Sequence, residues 1–193
     1  MLIEKIDESE YTGVDYSMPP KEVNSFSALI ILPVYVLYIA VYLLRWNYAN
    51  IFATVFKFTF LLELFILALA IIIFQVAALF VKGALLAAMS DGKWNSIKFK
   101  LLTENQKPHV TIYEPLKVSQ YKICQAIYIL CFAVLPFAIS MLLGDFMFVL
   151  ASFVCVFIAG NDILMFFILL KQKGNAYIVD YDGLFLYKIY NKI

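Results

Sequence analysis

Three polar side chains stand where the sequence is otherwise apolar. Gln75 lies within Ile71-Ile-Ile-Phe-Gln-Val-Ala-Ala-Leu-Phe-Val81, and Asn161 and Asp162 lie together within Ala159-Gly-Asn-Asp-Ile-Leu164. A carboxylate beside amides in a low-dielectric setting can hold a proton, face a cation, or tie helices together through hydrogen bonds. Other chemistry has less to work with. His109, after Lys107-Pro108, is the one histidine, and a single imidazole cannot assemble a zinc site. Cys124, Cys131 and Cys155 all fall in apolar blocks. They read as buried small hydrophobes rather than as disulfides, a redox pair or a metal cluster. No Gly-rich phosphate loop, serine nucleophile elbow or CxxC pair occurs.

The elements that position these residues are long apolar blocks. With 64% hydrophobic and 15% charged residues over 193 positions, the chain lies outside the soluble range of about 45–50% and 25%. Phe26 to Leu44 is a 19-residue uncharged run containing Pro33, long enough to span a bilayer. A second block runs from about Phe58 to Val81, interrupted by Glu63 near its start. The third, Cys124 to Leu143, contains Pro136, and the fourth runs from Phe146 to Leu170 with Gly160-Asn161-Asp162 breaking its apolar run. Only Gly144-Asp145 joins the last two, which predicts a tight antiparallel helical hairpin. The fold class expected is an all-α membrane protein of four spanning helices at 26–170, with segments 1–25 and 171–193 outside the bilayer.

The first 25 residues carry six acids against Lys5 and Lys21, the reverse of a signal peptide's positive start, so the first block is expected to stay in the mature protein. Four spans put the two ends and the 82–122 loop on one side. That side holds thirteen basic residues, against Arg45 and Lys57 on the other. The positive-inside rule then predicts cytoplasmic termini in a multi-pass plasma-membrane protein. A net charge of +1 without a basic face excludes nucleic acid. The bilayer itself is the first partner, joined by a membrane protein or peptide.

Outside the helices, Ser96 to Leu101 alternates polar and apolar residues, and His109 to Tyr113 is rich in β-branched ones. With Thr103 to Pro108 between them, they predict a cytoplasmic β-hairpin. Tyr177 to Tyr181 and Leu184 to Tyr187 flank Asp182-Gly183, the signal for a second hairpin near the C-terminus.

Asp162 most needs an explanation, because a carboxylate deep in a spanning helix costs roughly 2.5–3.5 kcal/mol on insertion scales. It lies nine residues before Lys171, about 13 Å along a helix. Gln75 lies seven residues before Lys82, taken as the end of helix two, about 10 Å. Both helices run the same way, so the two residues come within one turn of the same depth. Gln75, Asn161 and Asp162 then either line a cytoplasm-facing polar pocket or form an interhelical hydrogen-bond set. Glu63 sits near the outer interface and reads as a water-facing acid. His109 reads as an ordinary loop histidine.

Several stretches together resemble a family of bacterial integral membrane proteins described as zincin peptidases, themselves distantly similar to the site-2 intramembrane metalloproteases. They are Lys107-Pro-His-Val110, Tyr113-Glu-Pro-Leu-Lys-Val118 through Tyr121, Ala159-Gly-Asn-Asp-Ile-Leu164, and Val179-Asp180 with Gly183 and Phe185. The similarity covers roughly residues 60–187. It implies an H-E-x-x-H in helix two, where two histidines bind zinc and the glutamate activates water, and an acid in helix four as third ligand. The acid matches at Asp162. The first histidine position is Phe74, the glutamate Gln75 and the second histidine Ala78. Gln75 keeps the shape of glutamate but cannot serve as general base. The resemblance thus implies a peptidase-like scaffold with a degenerate motif, no catalytic residues and no cofactor, zinc being the family's expected metal.

Three functions compete. The first is a noncatalytic membrane protein that binds a membrane helix or peptide, its hairpin adding a strand to the partner. The second is an active or residual intramembrane metallopeptidase, with a metal held through Asp162. The third is a small transporter or channel component, supported only by the intramembrane Asp162 and Glu63.

Overall fold

The computed structural model describes residues 11–46, 59–100, 108–180 and 186–192. Four helices long and apolar enough to cross a membrane dominate it. They are α1 (Pro20–Arg45), α2 (Phe60–Met89), α3 (Val118–Leu143) and α4 (Phe146–Leu170). Three of the expected spans lie inside these helices, the second starts two residues before α2 with Phe58 outside the described residues, and three helices run further. α1 begins before Phe26, opened by Pro20 in its first turn, where a missing N–H costs nothing. α3 begins at Val118, six residues before the apolar block. α2 continues past Lys82 to Met89. Gly83-Ala-Leu-Leu-Ala-Ala-Met89 is itself apolar and free of helix breakers other than Gly83, so Lys82 interrupts the apolar run without ending the helix.

The third helix passes Pro136 through one wide turn, residues Leu130–Val134, hydrogen-bonded in π register. Such a turn re-pairs the backbone that a proline leaves unbonded. Gly160-Asn161-Asp162 does not break α4, which is continuous from Phe146 to Leu170. Gly160 instead lets α1 approach: a Cβ there would overlap the end of the Ile31 side chain.

The helical class with two added hairpins holds in outline, and the strands form two small sheets that flank one end of the bundle. β2 (Ile97–Lys100) and β3 (His109–Ile112) pair antiparallel, with Ile97 opposite Ile112 and Lys100 opposite His109. This is the hairpin expected from Ser96–Leu101 and His109–Tyr113. A four-stranded sheet in the order β1-β6-β5-β4 joins β1 (Tyr11–Ser17), β4 (Leu116–Lys117), β5 (Tyr177–Asp180) and β6 (Leu186–Lys192). The C-terminal pairing of β5 with β6 is present, but the second strand lies later than Leu184–Tyr187. Asp182-Gly183 falls outside the described residues. Strand β1 was not anticipated. It pairs with β6 along its whole length, Tyr11 opposite Lys192 through Ser17 opposite Leu186, so the two terminal segments meet at one end of the bundle.

Three apolar layers stack along the bundle. At the sheet end, Leu86, Ala87, Val110, Ile112, Leu164, Leu169, Ile178 and Ile189 bury the ends of α2 and α4 against the strands. A middle layer gathers Ile31, Tyr38, Ala78, Tyr128, Phe132, Val156 and Ala159. At the far end, Tyr42, Met141 and Val149 pack with Trp46. There Gly144 turns the chain at φ 71°, Tyr42 donates to its carbonyl at 3.0 Å, and the Asp145 carboxylate caps α4 by accepting from Met147 N–H at 2.8 Å. The predicted two-residue link is this turn. α4 is the central helix, touching the other three. α2 is outermost, with only Ala78, Gly83, Leu86 and Ala87 fully buried.

Candidate functional site: a polar cavity at the sheet end of the bundle

Three helical stripes converge on one cavity. Ile71, Gln75, Leu79 and Lys82 recur at three to four residues on α2, the spacing that puts side chains on one face. Tyr121, Gln125 and Tyr128 do the same on α3, and Val154, Ile158, Asn161 and Met165 on α4, with Phe157 and Asp162 beside them. Pro108, His109 and Val110 from the start of β3, with Asp180 and Tyr187, close the sheet end. The cavity measures about 360 Å³, within the range of small-ligand sites. Its walls are apolar toward Ile71, Val154 and Phe157 and polar toward the strands.

Gln75, Asn161 and Asp162 therefore share one wall system, yet each is engaged differently. Asn161 accepts from Ser27 on α1 through Oδ1 at 3.0 Å, which ties α1 to α4. Asp162 pairs with Lys82, whose ammonium donates to its carboxylate. The two side chains are only 12% and 15% exposed. The Lys82 ammonium also lies 5.7 Å over the Tyr128 ring, a cation–π arrangement.

This pair revises the depth expected for Asp162. Lys82 is not the end of α2 but a member of it. The uncharged stretch from Leu64 to Val81 is 18 residues, about 27 Å at helical rise, which nearly fills a hydrocarbon core of about 30 Å. Lys82 and Asp162 then sit at its sheet-side boundary, between the first two apolar layers. Paired there, the carboxylate escapes the cost of an isolated charge in mid-bilayer.

The other motif positions do not face this group. Phe74 packs at a tilt on Phe132, ring centroids 4.9 Å apart, and Ala78 is 1% exposed in the middle layer; neither lines the cavity. The cavity's possible donors are the Gln75, Gln125 and Asn161 amides, the Asp162 and Asp180 carboxylates and His109, with Asp162 paired to the Lys82 ammonium. Among the described residues no three His, Cys, Asp or Glu side chains stand close enough to hold a metal ion.

His109, expected as a loop histidine, opens β3 and lines the cavity. Glu63 accepts from Thr59 Oγ1 at 2.8 Å in the exposed first turn of α2, away from the cavity. Cys124 and Cys155 are buried and Cys131 partly so, all as free thiols. Lys82, Gln125 and the three cavity tyrosines, Tyr121, Tyr128 and Tyr187, went unpredicted as site residues. Gln125 had a signal, a lone amide one residue into an apolar block. Lys82 had none, since a lysine after an apolar run also marks a bilayer edge.

Comparison of the chain with known protein families, curated proteins and solved structures finds no match.

Proposed function

We propose that this chain is a noncatalytic multi-pass membrane protein, a zincin-peptidase-like scaffold without the metal chemistry, which binds an apolar peptide segment of a membrane partner in the cavity between α2, α3 and α4. One observation carries the reading: the carboxylate in the position of a metal ligand is held by Lys82 on the wall of a cavity. An ammonium supplies the positive charge a metal would bring, but it offers no Lewis acid and activates no water. What the cavity retains is recognition: amides, phenols and carboxylates at one end, and an apolar wall at the other. β3, the strand expected to receive an extended partner, is buried from Val110 to Ile112, and what it offers the cavity is its first residues on the wall.

In this reading the sheet end faces the cytoplasm of a plasma membrane. Lys93, Lys98, Lys100, Lys117, Lys171 and Lys188 gather there, while Arg45 lies at the opposite end. Lys82 leaves the loop count, and the bias survives its loss.

The test is binding of a fluorescent Leu/Ala-rich peptide to the purified full chain in nonionic detergent, with metal content and peptide hydrolysis measured on the same sample. Saturable binding that Gln75→Trp weakens by filling the cavity is expected, with the peptide recovered intact. Stoichiometric zinc together with cleavage that a chelator abolishes would sink the reading.

A further inference from the structure

The hairpin of β2 and β3 rests on α2 one residue past Lys82, where that helix leaves the hydrocarbon. Its Phe99 ring lies directly against Gly83, and an added Cβ there would overlap the ring. Phe99 also meets Phe80, ring centroids 5.3 Å apart, and Trp94, at 6.4 Å. Phe80 ends the outward stripe of Leu69, Ile73, Val76 and Phe80 on α2, every member of which is exposed. The three rings therefore carry a lipid-facing surface from the helix onto the hairpin. Trp94 closes the row at 54% exposure, and an indole left open at a bilayer boundary stands where interfacial tryptophans stand. Two exposed lysines, Lys93 and Lys98, accompany it, the Lys98 ammonium 4.6 Å over the Tyr113 ring. Lys93 opens the 3₁₀ turn Lys93–Ser96 at φ 51°, a left-handed conformation uncommon for any residue but glycine. The turn is fixed from two directions: the Lys93 carbonyl accepts from Ser96 Oγ at 3.0 Å, and Gly92 N–H donates to the Glu114 carboxylate at 2.8 Å. A strained backbone held this firmly points to the side chain it presents.

We propose that the Lys93–Lys98 face of this hairpin docks anionic phospholipids of the adjoining leaflet, with Trp94 seated among the headgroups and Lys93 and Lys98 on their phosphates. Continuity names the occupant. The aromatic row joins the exposed stripe of α2 without a gap, so the lipid that covers that stripe reaches Trp94 as well. Charge selects the kind of lipid. Each lysine is a compact ammonium on a flexible apolar stem, suited to lie along acyl chains and to end at a phosphate oxygen. Basic side chains beside a spanning helix are drawn to anionic headgroups in this way. Asp91 is exposed in the same turn, and Glu114 is engaged by Gly92. The surface lies outside the cavity, and its role does not depend on what the cavity binds.

Tryptophan fluorescence reads the contact, because the chain has two tryptophans and Trp46 lies at the far end of the bundle. The full chain is placed in nanodiscs of phosphatidylcholine and phosphatidylglycerol, with brominated acyl chains carried by one lipid or by the other at equal mole fraction. Trp94→Phe, at an exposed site, supplies the Trp46 signal to subtract. Brominated phosphatidylglycerol is expected to associate with Trp94 on the order of fivefold more than brominated phosphatidylcholine. That ratio corresponds to about 1 kcal/mol, the pull of one basic side chain at an anionic leaflet. Lys93→Gln together with Lys98→Gln is expected to bring the ratio to about one while both lipids still quench. The lipid comparison itself keeps both lysines, so it does not depend on that variant folding. Equal quenching of Trp94 by the two lipids removes the anionic selectivity and overturns the proposal. Quenching by neither places the hairpin off the bilayer, or under another protein chain, and overturns it too. A preference that survives the double glutamine variant assigns the lipid to other cations and overturns the roles given to Lys93 and Lys98.

Discussion

At the scale of single residues, the Lys82–Asp162 pair matters more than either member. A carboxylate or an ammonium left alone at 12–15% exposure is an uncompensated charge at the edge of hydrocarbon, and breaking such a pair costs about 3–5 kcal/mol. Replacing both partners with apolar residues removes the desolvation penalty along with the attraction. Lys82→Met and Asp162→Leu are thus each expected to lower the thermal midpoint in detergent clearly, and the double variant to recover most of the loss. A double variant as unstable as the sum of the singles would show that the two charges do not interact.

At the scale of elements, hydropathy located the four helices and backbone geometry set how they meet. Gly160 permits the α1–α4 approach, and the Ser27–Asn161 hydrogen bond lies beside it. Because the atom facing Gly160 is the tip of Ile31, Gly160→Ala needs only a small side-chain shift. Gly160→Leu forces the helices apart, at about 1–3 kcal/mol. Ile31→Ala should recover part of that loss in a thermal melt, and a failure to recover any would place the crowding elsewhere. Gly144 is a different case. Its φ of 71° is left-handed, and a Cβ would come within 2.8 Å of the Trp46 indole. Gly144→Ala is expected to cost at least the roughly 1–2 kcal/mol of that conformation, and Trp46→Ala cannot remove the backbone part. Gly160-Asn161-Asp162 interrupts the apolar run without interrupting the helix, and the missing side chain of Gly160 serves close approach.

At the scale of the whole molecule, one sheet gathers both terminal segments at the end of the bundle where the cavity lies. Asp15 stands opposite Lys188 in the β1–β6 register, their charged groups 4.0 Å apart. Facing positions in an antiparallel ladder bring Cβ atoms to about 4.5–5.5 Å, near the reach of a disulfide. The variant Asp15→Cys with Lys188→Cys should cross-link under mild oxidation, shifting the chain on a non-reducing gel, whereas Val14→Cys with Lys188→Cys, out of register, should cross-link poorly. Equal yields from the two pairs would refute the register.

Membrane class, the number of spans, the short link between the last two helices and the hairpin between α2 and α3 could be read from residue order, because each depends on local hydrophobic runs or turn chemistry. Counting along two parallel helices put Gln75 and Asp162 near one another, and they line one cavity, although Asp162 pairs with Lys82 about two turns further along α2. Strand β1 could not be read, since its pairing lies with residues at the other end of the chain. Nor could the role of Lys82, because the same lysine marks a bilayer boundary when α2 stops and neutralises a carboxylate when α2 continues. Partnership between distant charges depends on which helix faces turn toward each other, and packing in three dimensions settles that.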